Sequence, residues 1–106
     1  MRIVLLVVSL FTSSAFAAEP VKVFAAGSLT GAMNAVIKLY AQKTGEQVQA
    51  DYGPAGLMRE RIEKGERADV FASANMAHPQ TLADKGLATQ PVVMARNRLC
   101  AKALPA

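Results

Sequence analysis

The chain has 106 residues, twelve Lys and Arg against eight Asp and Glu, a formal net charge of +4, one histidine and one cysteine. A mild, scattered excess at residues such as Lys22, Lys38, Arg59 and Arg96 lacks the clustered basic face of a nucleic-acid binder and reads as solubility. A lone cysteine, Cys100, excludes an intrachain disulfide framework, and one cysteine with one histidine cannot build a structural metal site unaided.

The first residues, MRIVLLVVSLFTSSAFA, combine a basic start at Arg2, an apolar run from Ile3 to Phe11 and Ala15-Phe16-Ala17 before a cut. This is the pattern of a secretory signal. The run is too short to span a bilayer, so residues 1–17 are expected to be removed, leaving a chain from Ala18 that works outside the cytoplasm. What remains suits one small domain with a modest core.

Short apolar runs then alternate with amphipathic segments, the pattern of strand-helix units on a parallel sheet. Val21 to Ala25 reads as the first strand. Leu29, Met33, Val36, Ile37 and Tyr40 form one apolar face of a helix that Gly45 closes. Val48 to Tyr52 alternates as a second strand. After the loop Gly53-Pro54-Ala55-Gly56, Leu57 to Lys64 reads as a second helix, stopped by Gly65. Asp69 to Ala72 is expected as a third strand and Pro79 to Lys85 as a third helix, with an early proline and Gly86 just past the end. Pro91 to Ala95, PVVMA, is expected to begin a fourth strand, with the thiol of Cys100 partly buried on a strand beyond it.

Ligands of open parallel sheets bind at the carboxyl ends of the strands. Three loops fall there: Ala26-Gly27-Ser28, Gly53-Pro54-Ala55-Gly56 and Ser73-Ala74-Asn75. None contains histidine, cysteine, lysine or glutamate, so groups for acid-base or nucleophilic work are missing. Asp51 lies near the second loop with its direction left open, Asp69 opens a strand at the wrong end of the sheet, and His78 beside Pro79 reads as a surface or capping residue. The dinucleotide and phosphate-loop fingerprints are absent. Catalysis is therefore disfavoured.

What the loops do offer is free amides at helix starts, where an anion is stabilised without a charged side chain. Ser28 has two readings of about equal weight: N-cap of the first helix, or hydroxyl donor to a bound oxyanion that Gly27 allows to approach the backbone. Neutral donors alone suit a fully deprotonated anion such as molybdate, tungstate or sulfate.

Behind a signal, the stretches VFAAGSLTGAM, GPAGLMRERIEKGERADVFASAN and VVMARNRLCA resemble the first lobe of periplasmic molybdate-binding proteins of ABC importers, which have the type II periplasmic binding fold. The resemblance implies an α/β lobe with a parallel sheet in three layers, periplasmic localisation and an inner-membrane ABC permease as partner. It implies no enzymatic activity and no cofactor, with molybdate or tungstate as the ligand of a monomer. It places the first-lobe serine on Ser28 and a second contact on Ala55, beside Gly27 and Gly56. Family members commonly carry serine where this chain has Ala55, so the amide is kept and the hydroxyl lost, at about 1.5–3 kcal/mol for one bond to a charged group. It also implies that residues 18–106 form a first lobe truncated at the crossover to a second. A remnant that neither closes nor binds, or a protein for another anion such as sulfate, are the alternatives.

Overall fold

The structure is a computed structural model and describes residues 17–103; the expected signal segment up to Phe16 lies outside the described residues. Within them run β1 (Val21–Ala26), a single 3-10 turn (Gly27–Leu29), α1 (Thr30–Thr44), β2 (Val48–Gly53), α2 (Ala55–Glu63), β3 (Val70–Ala72) and α3 (Ala77–Asp84). The strands pair in the order β2-β1-β3, all parallel, so the first strand in the chain is the middle of the sheet.

Register follows from side-chain alternation. Phe24 lies beside Asp51 on β2 and Phe71 on β3, whereas Ala25 lies beside Tyr52 and Ala72. Because successive residues face opposite sides, Lys22, Phe24, Asp51, Gly53 and Phe71 share one face. Helix α2 covers it: the Arg61 guanidinium stacks 4.3 Å from the Phe24 ring centroid, and Met58 is buried there. A methyl on Gly53 would lie 2.6 Å from Met58 Cε, so a side chain there would push the flexible Met58 tip out of its present place. The opposite face carries Tyr52, whose hydroxyl donates to Asn34 Oδ1 on α1 at 2.6 Å. Helices thus cover both faces, giving the expected three layers, with α3 packed against α2.

The buried apolar residues are Val23, Phe24, Ala25, Ala26, Met58 and Leu82. Four of these are consecutive in β1, as expected of a central parallel strand buried on both faces. Helix α1 closes as its sequence implies: Gly45 takes the left-handed conformation at φ 72° and its N–H donates to the Ala41 carbonyl. Its apolar face is shallowly buried, with Leu29, Met33 and Ile37 partly covered while Val36 and Tyr40 are exposed.

Three expectations are corrected. Among the described residues no strand follows Ala72, and residues 91–95 form no regular element; strand propensity produces a strand only where a neighbouring edge pairs with it. Cys100 is consequently exposed rather than held in a sheet. Helix α3 starts at Ala77, two residues earlier than Pro79 suggests, because proline is accommodated throughout a first turn whose amides have no intrahelical partner.

Candidate functional site at the carboxyl ends of the strands

The aligned ends of the strands bring their loops to one edge. Ala26 at the end of β1 is in register with Gly53 at the end of β2. A Cβ built on Gly27 would lie 3.9 Å from the Gly53 carbonyl oxygen, so the Gly27-Ser28 corner and the Gly53–Gly56 loop sit side by side. The third loop follows β3, the other neighbour of β1.

The chain turns at Ala26, which is extended at φ −60° and ψ 139°, into the 3-10 turn and then α1. Ser28 is not the N-cap of α1. That position belongs to Leu29, with no side-chain cap, because the inserted 3-10 turn moves the helix start to Thr30. Thr30 Oγ1 donates to the Gly27 carbonyl at 2.6 Å and steadies the corner. Ser28 is exposed, and its hydroxyl has no hydrogen-bond partner among the described residues. The capping role that competed with ligand donation is therefore not the one Ser28 performs.

The second loop feeds α2 through Pro54, extended at φ −55° and ψ 130°. The helix ladder begins with Met58 N–H donating to Pro54 O at 3.0 Å, so the amides of Ala55, Gly56 and Leu57 are the unladdered ones of the first turn. No side chain caps this end and no acidic residue stands in its first turn. Ala55 and Gly56 are both partly exposed.

The third loop is different in kind. Ser73 Oγ donates to Asn75 O at 2.7 Å and accepts from Asn75 N at 3.1 Å, and Asn75 Oδ1 accepts from Ala77 N at 2.9 Å. Its polar groups are spent on its own turn. Of three loops equivalent in sequence, two keep open donors and one is closed on itself.

Most charge lies elsewhere. Asp51, whose direction the sequence left open, lies beneath α2 between Arg61 Nη2 at 2.8 Å and Lys22 Nζ at 3.2 Å. Arg61 first and Lys22 second hold its carboxyl below the usual range. Asp69 stands at the far end of the sheet, accepting from the Lys22 amide at 2.8 Å; that bond, then the Arg67 guanidinium, lowers its pKa. Neither carboxylate belongs to one of the three loops.

His78, expected as a surface or capping residue, caps no helix, since the N-cap of α3 is Met76. It is partly buried at the start of α3. Its Nδ1 lies 3.2 Å from Arg59 Nη1 on α2, and its Cε1 would lie 3.5 Å from a Cβ on Gly56. No local pattern signals this, since the partners are nineteen residues apart in the chain and meet only because α2 and α3 pack together. Further along the same pair, Lys85 Nζ bonds Glu63 Oε1 at 2.8 Å, which holds the Glu63 carboxyl below its usual range.

Comparison with known proteins agrees with this architecture. The substrate binding domain assigned to a molybdenum ABC transporter from Clostridium difficile superposes with a TM-score of 0.59 at 27% identity, covering 62% of this chain and 29% of that one. An uncharacterized protein of Pasteurella multocida (strain Pm70) is 43% identical over 79 residues, 74% of this chain and 33% of the relative. One from Haemophilus influenzae is 37% identical over 81 residues, 76% of this chain and 70% of the relative. The chain thus spans about a third of the Pasteurella protein's length and a smaller share of the solved structure. The model of the bacterial extracellular solute-binding protein family matches residues 21–104, and this chain belongs to that family.

Proposed function

We propose that this chain forms the first lobe of a periplasmic receptor that binds a tetrahedral oxoanion, molybdate or tungstate, for an inner-membrane ABC importer. The observation that carries the reading is the pairing of two open donor sets: the Gly27-Ser28 corner and the uncapped first turn of α2 lie side by side at one edge of the sheet. Helix starts favour negative charge through their unpaired amides and dipole. In this reading Ser28 donates its free hydroxyl, Ala55 and Gly56 donate amides, and Gly27 gives the anion access to the backbone. The protein performs no catalysis and acts as a monomer; residues 1–17 direct export, and a second lobe supplies the other wall of the cleft. The molybdenum transporter domain that shares the fold supports the choice of anion. Ala55, which contributes no hydroxyl, supports sulfate as the second reading.

The test is thermal unfolding of the purified protein titrated with molybdate, tungstate and sulfate at matched ionic strength. Ligand at a hundred times its dissociation constant adds about 2.7 kcal/mol. A saturable shift with molybdate or tungstate is the expected result, and Ala55→Ser should tighten it. A shift with sulfate alone selects the second reading, and no shift with any of the three refutes oxoanion binding by this lobe.

A further inference from the structure

We draw no further inference here: the strongest candidate, the apolar groove that the outer edge of β3 lines together with residues 87–98, with Val70, Val92 and Met94 exposed along it, carries nothing because nothing in the structure shows what covers it.

Discussion

Replacing Phe24 by alanine is the sharpest probe of how this lobe is held together. The ring is fully buried at 0% exposure in the central strand, flanked in register by Asp51 and Phe71, with the Arg61 guanidinium stacked on it. Truncating a buried phenylalanine costs about 3–5 kcal/mol in lost transfer and cavity energy. A domain of this size has a total stability of roughly 4–13 kcal/mol. Phe24→Ala should therefore remove a large part of it and lower Tm by more than about 10 °C. Val70→Ala is the control: Val70 is 46% exposed at the sheet edge and should cost less than about 1 kcal/mol. Urea unfolding followed by circular dichroism gives both values. A loss below about 1 kcal/mol for Phe24→Ala would refute the packing of α2 on this face, and with it the placement of the second loop.

Ser28→Ala should reduce oxoanion affinity while leaving ligand-free stability within about 0.5 kcal/mol of wild type, because Ser28 caps no helix; equal losses in titration and urea unfolding would restore the capping role. Gly45→Ala should destabilise by roughly 1–2 kcal/mol, the cost of forcing a side chain into the left-handed region, which urea unfolding measures; a neutral result would contradict the φ of 72°. The protein should lose stability in acid. Asp51, Glu63, Glu66 and Asp69 all have folded pKa values depressed below 3.8 for the aspartates and 4.5 for the glutamates. The folded state therefore binds fewer protons, and the stabilisation is complete above the unfolded values and lost as pH falls through the folded ones. Urea midpoints should be level between about pH 7 and 5 and fall below about pH 4.5; a flat profile to pH 3 would show that these ion pairs contribute nothing.

The parallel sheet and its helices were legible because their signals are local and repeated. Val48 to Tyr52 alternates, Gly45 and Gly86 stop helices in the left-handed conformation they permit, and four small or apolar residues crowd the central strand. The fourth strand was not, because PVVMA carries propensity alone and pairing is a property of two segments. The corner at Gly27 was located correctly while its hydrogen bonds were not: a serine before a helix resembles a cap, and only the 3-10 turn shows that Leu29 occupies that position. The Ser73-Ala74-Asn75 loop looked equivalent to the other two because residue type is visible in the sequence and the mutual bonding of Ser73 and Asn75 is not. The neighbours of His78 were illegible for the complementary reason, since Arg59 and Gly56 meet it only across a helix interface. The sequence thus records where a backbone bends more faithfully than which donors stay unspent.

The central place of β1 in the sheet also constrains how the lobe can form. The strand made first has no partner until Val48 follows Val21, and its other edge stays bare until Val70 arrives beside Val23. Every ladder bond of the sheet therefore closes a long loop, whose entropy is spent before any pairing repays it. A nascent chain ending before β3 can assemble only two of its strands, and a two-stranded ribbon is marginal in water. Such a chain stays open until synthesis has passed the third strand.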